Sequence, residues 1–241
     1  EPVVDAVALG EGEMILADVL DRIKNNLPLT DCPGLLVRTP DGVIDTGDRE
    51  LITELDQIPA PDFSDYAFER YLTPTKLPLV SSRGCPNQCI FCNDRPFWKR
   101  YRRRSAENVF REIKEQLERY PFVNFLDFQD SLVNGDIREL SRLADLIIES
   151  GIPVQWSGQA VIRKEMTPEL MTRLKQSGCV CMAYGVETPS SSLMLKVGKV
   201  MSRDADINAI ADAHAKTGLG VVYNFMFGLP DQLHYGLGRQ P

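Results

Sequence analysis

Thr167-Pro168-Glu169-Leu170-Met171-Thr172-Arg173-Leu174-Lys175-Gln176-Ser177-Gly178-Cys179-Val180-Cys181-Met182-Ala183-Tyr184-Gly185-Val186-Glu187 carries a helix, its stop and an apolar strand in one run. Thr167 is an N-cap candidate. Pro168 stands at the first helical position, where its missing N–H costs nothing and its φ is already helical. Gly178 ends the helix and the strand-like run 179–186 begins at once. The same alternation repeats outward. Strand-like runs near 78–83, 122–129, 152–160 and 220–227 are separated by helical patterns. One follows Ser105 with Val109, Phe110, Ile113 and Leu117, and the next repeats Ile137, Leu140, Leu143, Ala144, Ile147 and Ile148. A last helix, from about 204 to 217, stops at Gly218. Alternating β and α with short connections predicts an α/β fold with a parallel sheet, helices outside and right-handed crossovers. Five such units predict an open or truncated (βα) barrel, with its chemistry at the C-terminal ends of the strands.

Upstream the pattern changes. Residues 3–9 read as a buried strand that runs into Gly10-Glu11-Gly12-Glu13 and an amphipathic helix with Ile15, Leu16, Val19, Leu20 and Ile23. That is the last βα step of a doubly wound domain. Residues 34–48 predict a hairpin around Pro40-Asp41-Gly42, and prolines at 59, 61, 74 and 78 mark an ordered, irregular connector. The expected organisation is a doubly wound remnant over 1–28, hairpin and connector over 29–77, and the barrel over 78–241. Glu at position 1 and the apolar start lead us to expect a fragment, truncated at both ends.

Composition bounds the function. With 27 Lys+Arg against 34 Asp+Glu, the net charge of −7 argues against a general nucleic-acid binder. No apolar run of about 18 residues suggests a membrane span, and the start lacks the basic flank, apolar run and small-residue cleavage site of a signal peptide, so a cytoplasmic protein is expected. Six cysteines without a secretion signal suggest metal ligands or catalytic thiols rather than a disulfide framework.

Three of them lie in Ser81-Ser82-Arg83-Gly84-Cys85-Pro86-Asn87-Gln88-Cys89-Ile90-Phe91-Cys92, spaced Cys-x3-Cys-x2-Cys, immediately after the first barrel strand. Thiolates suit zinc or iron–sulfur clusters. Three protein ligands with an open position describe a catalytic rather than a structural site. A zinc site completed by another residue and a ferredoxin-like electron carrier are the alternatives.

The loop resembles the cluster motif of the radical S-adenosylmethionine (SAM) enzymes, including the aromatic Phe91 before the last cysteine. The resemblance covers residues 78–230. Within it, Tyr184-Gly185-Val186-Glu187-Thr188-Pro189-Ser190 and Phe225-Met226-Phe227-Gly228-Leu229-Pro230 are similar to segments of the subgroup with an upstream cobalamin-binding domain. The stub at 3–24 resembles the end of that domain, and Ile58-Pro59-Ala60-Pro61 also fits the subgroup.

The resemblance implies that Cys85, Cys89 and Cys92 hold a [4Fe-4S] cluster whose fourth iron takes SAM, and that reductive cleavage gives a 5′-deoxyadenosyl radical. It implies that Phe91 packs beside the adenine and that Glu187 and Arg163 contact SAM. Gln159 and Asp130 would face SAM or substrate, and Gly228 would let backbone approach the adenine. Helix capping, surface ion pairing and plain turns stand as alternative roles for Glu187, Arg163 and Gly228. The basic run Lys99-Arg100-Tyr101-Arg102-Arg103-Arg104 reads as a solvated face, or else as a patch for an anionic substrate or an electron donor. Cys32, Cys179 and Cys181 are expected to be small buried residues, while His214 and His234 match no ligand spacing.

The leading functional expectation is a cobalamin-dependent radical SAM enzyme, with methylation of an unactivated carbon as the first candidate reaction. A radical SAM enzyme without cobalamin (methylthiotransferase, cyclase or oxidative type) comes second, and a non-catalytic iron–sulfur or zinc protein third. The expected partners are a small-molecule or peptide substrate and a one-electron donor such as flavodoxin or ferredoxin. With no sixth strand in view, the last parallel edge is expected to invite pairing or aggregation.

Overall fold

The structure is a computed structural model and describes residues 4–199 and 207–229. The chain divides into two compact units, Glu1–Glu54 and Leu55–Pro241. In the first, β1 (Ala6–Ala8) precedes α1 (Gly12–Lys24), and β2 (Leu35–Thr39) and β3 (Gly42–Asp45) form the expected hairpin. All three strands pair antiparallel in the order β1-β2-β3. Ile15, Cys32, Leu35 and Val37 make a small core with Ala6, Val19 and Leu29 packed on it.

The expectation of a buried first strand is corrected here. Successive strand residues face opposite ways, so Ala6 reaches the core while Val7 is 48% exposed. On α1, Leu16, Leu20 and Ile23 are each 58–59% exposed and continue a stripe to Leu27. The Gly10–Glu13 turn is tied down by Glu11, whose buried carboxylate accepts from Ile52 N–H at 2.8 Å.

The second unit contains β4 (Lys76–Leu79), β5 (Ser82–Arg83), α2 (Asp94–Trp98), β6 (Arg102–Arg103), α3 (Ala106–Arg119) and β7 (Phe125–Phe128). It continues with α4 (Ile137–Ser150), β8 (Gln155–Ala160), α5 (Pro168–Gln176), β9 (Cys179–Glu187), α6 (Ser191–Lys196), α7 (Ile207–Thr217) and β10 (Gly220–Phe225). Five strands form a wholly parallel sheet in the order β10-β9-β8-β7-β4. This is the expected α/β alternation. One strand differs: the run 78–83 breaks after Leu79, and Ser82–Arg83 pairs antiparallel with β6 instead. The expected start of the last helix, the sixth-strand question, Pro230 and His234 fall outside the described residues.

The helices begin where the caps predict. Ser105, Asp136, Thr167 and Ser190 each accept a backbone N–H from the first turn of α3, α4, α5 and α6. Gly178 is obligatory, since its φ is +92° and a Cβ would lie 1.9 Å from Val154 O. Alternate strand residues feed the helix-side core: Leu126 and Phe128, Trp156 and Ala160, Met182, Tyr184 and Val186. Trp156 is 1% exposed, meets Phe128 edge-on at 5.3 Å and donates its indole N–H to Ser177 O at 3.1 Å. Its truncation to Ala is expected to cost about 3–5 kcal/mol.

The buried His214 ring joins α7 to the sheet. Its Nδ1 lies 3.0 Å from Leu219 O and its Nε2 3.1 Å from the Tyr184 hydroxyl. Nδ1–H therefore donates to the carbonyl, and Nε2 accepts from Tyr184 in the neutral ring. Burial holds its pKa below the usual 6.5. A folded-state pKa below the unfolded one gives stability that is present above the unfolded pKa and lost as pH falls through the folded pKa. Urea denaturation between pH 7 and pH 5 should show a falling midpoint, and His214→Gln should flatten that slope; an unchanged slope would refute it.

Candidate active site

The parallel register places Leu79 of β4 opposite Phe128 of β7. Two residues beyond each, Ser81 and Asp130 meet. The Asp130 carboxylate is 2% exposed and accepts from Ser81 N–H at 3.1–3.2 Å, Ser81 Oγ at 2.7 Å and Ser82 Oγ at 2.6 Å. Burial pushes its pKa up, and the serine donors pull it back. Next along the chain, Ser131 donates to Asp94 Oδ2 at 2.6 Å. Consecutive residues at the tip of β7 thus grip both flanks of the cysteine loop. Gly84, with φ +79°, sits where a Cβ would meet Arg100 O at 2.5 Å.

Cys85, Cys89 and Cys92 are half-buried, while Cys32 and Cys179 are fully buried. Burial raises the Cys85 and Cys89 thiols, Cys89 to about 11, and the nearby Lys199 ammonium pulls both down. The three sulfurs are close enough for Cys92 to raise both others and for Cys85 to raise Cys89. Among the described residues, no three His, Cys, Asp or Glu side chains converge as ligands of a single ion. A cubane takes one thiolate per iron, so its ligands stand further apart than donors around one metal. Soft, mutually sensed and accessible, the three thiols fit a [4Fe-4S] cluster.

The far side of the loop is laid against the segment after α6. Gln88 N–H donates to Gly198 O and Ile90 N–H to Val197 O, both at 3.0 Å. Phe91 packs with Leu193, Val197, Leu229 and Met226. Lys199 follows, its side chain only 5% exposed, with Nζ 2.7 Å from Glu187 Oε1 and hydrogen-bonded to Gly185 O. Glu187 has φ +64°, and Thr188 N–H donates across it to Val186 O at 2.8 Å. That tight three-residue turn swings the carboxylate back over Gly185, where a Cβ would lie 2.5 Å from Oε1. Cysteines, Phe91 and Glu187 therefore share one site with Lys199.

The other candidates are placed differently. Arg163 Nε pairs with Glu165 at 3.0 Å, and its Nη1 donates to Asn134 O and Gly135 O, joining the loops after β7 and β8. Gln159 lines a cavity of about 540 Å³ at the C-terminal strand ends, beside Asp94, Trp98 and Cys181. Cys181, expected to be buried, is half-buried because it lies on the sheet's open inner face. Gly228 has φ +82° and open space around its Cα. The basic run is not a plain solvated face. Arg102 is buried, Arg103 pairs with Asp136 and Glu139, and Arg104 pairs with Glu112. Sequence reasoning missed Lys199 and the bracketing roles of Asp130 and Ser131.

Fold and site define a parallel α/β protein with three half-buried cysteines in the loop that follows the first strand of the sheet. Residues 79–234 match the Radical SAM superfamily, and the chain belongs to that superfamily. It is 26% identical over 235 residues to an uncharacterized methyltransferase of Pyrococcus horikoshii, covering 96% of this chain and 50% of the relative. It is 30% identical over 218 residues to an anaerobic magnesium-protoporphyrin IX monomethyl ester cyclase of Synechocystis sp., covering 87% and 42%. The chain spans about half the length of these relatives. The fold matches that of the radical SAM methyltransferase TsrM from Kitasatospora setae, solved with cobalamin and a [4Fe-4S] cluster. Here the TM-score is 0.73 and the identity 17%, covering 93% of this chain and 47% of that one. No helix among the described residues is long and apolar enough to cross a membrane.

Asp130→Ala strips a buried set of donors of their acceptor and should cost about 1–3 kcal/mol. Loosening of the loop should also raise the alkylation rate of Cys85 in the cluster-free protein several-fold. Site-resolved mass spectrometry on Asp130→Ala and Ser131→Ala checks this, and unchanged rates in both would disprove the bracket.

Proposed function

We propose that the chain is the catalytic core of a cobalamin-dependent radical SAM enzyme that transfers a methyl group to an unactivated carbon. The observation that carries the reading is the cysteine trio laid beside the buried Glu187–Lys199 pair at the strand ends. Cys85, Cys89 and Cys92 would hold the cluster through three thiolates. When bound, cluster and SAM supply the hydrogen-abstracting radical, and cobalamin supplies the methyl group.

The chain's own residues do the rest. Lys199 offers a desolvated cation for a carboxylate, and Glu187 an acceptor for an ammonium or for ribose hydroxyls. Phe91, with Met226 and Leu229, forms an apolar wall that keeps water from the loop. Arg163 is proposed to hold the loops after β7 and β8 in place, so that Gln159 faces the reacting groups. Backbone at Gly228 can approach a planar base closely, for want of a side chain. The first unit is proposed as the tail of a cobalamin-binding domain. The apolar stripe Leu16, Leu20, Ile23 and Leu27 supports this, since exposed apolar patches mark contact surfaces. A cytoplasmic setting and a one-electron donor such as flavodoxin or ferredoxin belong to the same reading.

The cyclase relative favours a second reading, ring formation on the same framework. Anaerobic reconstitution of the full-length protein separates the two. Methyl-deuterated SAM should pass its label to the product of a methyltransferase and not to that of a cyclase. Cys85→Ser, Cys89→Ser and Cys92→Ser should each lose the cluster absorbance and 5′-deoxyadenosine formation. Full iron and sulfide in all three variants would sink the assignment. Lys199→Met should weaken SAM binding about tenfold or more, as expected when a buried charged partner is removed.

A further inference from the structure

The sheet shows two unlike faces. Toward the helices it presents Leu126, Phe128, Trp156, Met182 and Tyr184, all buried. Toward the cavity, the alternate positions of β7, β8 and β9 present Asp127, Ser157, Cys181 and Ala183, with Gln129 and Gln159 at the strand tips. A closed barrel fills such inward positions with branched aliphatic side chains. None of the residues lining this cavity is a branched aliphatic. Ligand pockets are usually apolar with a few polar groups, whereas here polar side chains outnumber the apolar ones, chief among them Trp98 and Phe128.

The polar groups are mostly acceptors. Asp127 is itself occupied, by Lys76 at 2.8 Å, Gln129 Nε2 at 2.7 Å and Ser157 Oγ at 3.2 Å, and this leaves the Gln129 amide oxygen as an open acceptor. Asp94 keeps one carboxylate oxygen beyond its bond from Ser131. The Gln159 carboxamide makes no hydrogen bond among the described residues, so it offers both a donor pair and an acceptor. Among the described residues that line it, the charged ones are Asp94, Asp127 and Asp130, without Lys, Arg or His. Asp127 is paired with Lys76, and Asp130 is saturated by Ser81 and Ser82, so the groups left open to a ligand are Asp94, Gln129 and Gln159. An anion entering here meets no unpaired cation among the described lining residues, and a hydrocarbon would leave those three groups without partners.

We propose that this cavity takes a neutral or cationic substrate group rich in hydrogen-bond donors, a hydroxylated or amino-bearing skeleton of sugar or amino-acid size. Phosphorylated compounds are disfavoured by the same wall, which offers them carboxylates and no unpaired cation among the described lining residues. The proposal rests on the reading of the site as a radical SAM centre only for its purpose. Occupancy of the cavity is a separate matter.

Cys181 gives a readout that is independent of turnover, because it lines the cavity and is not one of the three loop thiols. Full-length, cluster-loaded protein is treated with maleimide in the presence of glucosamine, 2-aminopropane-1,3-diol, glucose 6-phosphate or protoporphyrin IX. Site-resolved mass spectrometry follows Cys181. The amines should slow its alkylation at least fivefold at saturation, and Gln159→Leu or Asp94→Asn should raise the amine concentration needed about tenfold. Equal or better protection by glucose 6-phosphate or the porphyrin overturns the proposal, as does no protection by either amine. The same preparation is assayed for 5′-deoxyadenosine. Protection without SAM cleavage would refute the radical SAM reading and leave the cavity assignment intact, and the converse result would do the opposite.

Discussion

Everything at the strand ends depends on the buried carboxylate of Asp130. Parallel pairing of β4 with β7 brings it level with Ser81, and hydrogen bonds from Ser81 and Ser82 then fix where the cysteine loop leaves the sheet. A carboxylate so desolvated is tolerable only while its donors stay in place. The loop cannot drift without breaking several short hydrogen bonds at once. Ser131 repeats the grip on the far flank through Asp94. The eight positions from Cys85 to Cys92 are thus pinned at both ends and, through the Gln88 and Ile90 N–H groups, along the middle.

A second contribution is electrostatic. Thiols half-withdrawn from water resist ionisation, and neighbouring thiolates and Glu187 make it harder still. Lys199 is the counterweight: its buried ammonium lowers both Cys85 and Cys89 and at the same time neutralises Glu187. One cation thus serves the cysteine loop and the strand-end carboxylate. The close approach is possible because residue 185 has no side chain.

Much of this was legible in the sequence, for local reasons. Thr167, Pro168 and Gly178 announce α5 through capping chemistry that does not depend on distant residues. The cysteine spacing, in the same way, marks Cys85, Cys89 and Cys92 as one cluster of thiols, and the structure leaves all three half-buried in one loop. What stayed hidden depends on tertiary neighbours. Lys199 lies 12 residues after Glu187 in the chain, and nothing local signals that α6 folds it back. Asp130 read as a ligand-facing acid because strand-end carboxylates often are, but its partners are 48 and 49 residues away. Arg103 and Arg104 read as part of a charge run, yet helices α3 and α4 supply their acidic partners. The exposed faces of β1 and α1 were equally unreadable, because periodicity tells which residues are apolar but not what covers them.

The left-handed backbone at Glu187 has a consequence for how this position tolerates change. Holding a side-chain-bearing residue there costs of the order of 1 kcal/mol or more, which a glycine would recover. That gain is smaller than the loss, because glycine at 187 would leave the buried Lys199 ammonium without its counter-ion, at a cost of about 3–5 kcal/mol. A laboratory selection for heat tolerance would therefore keep the carboxylate and tolerate the twisted backbone beneath it.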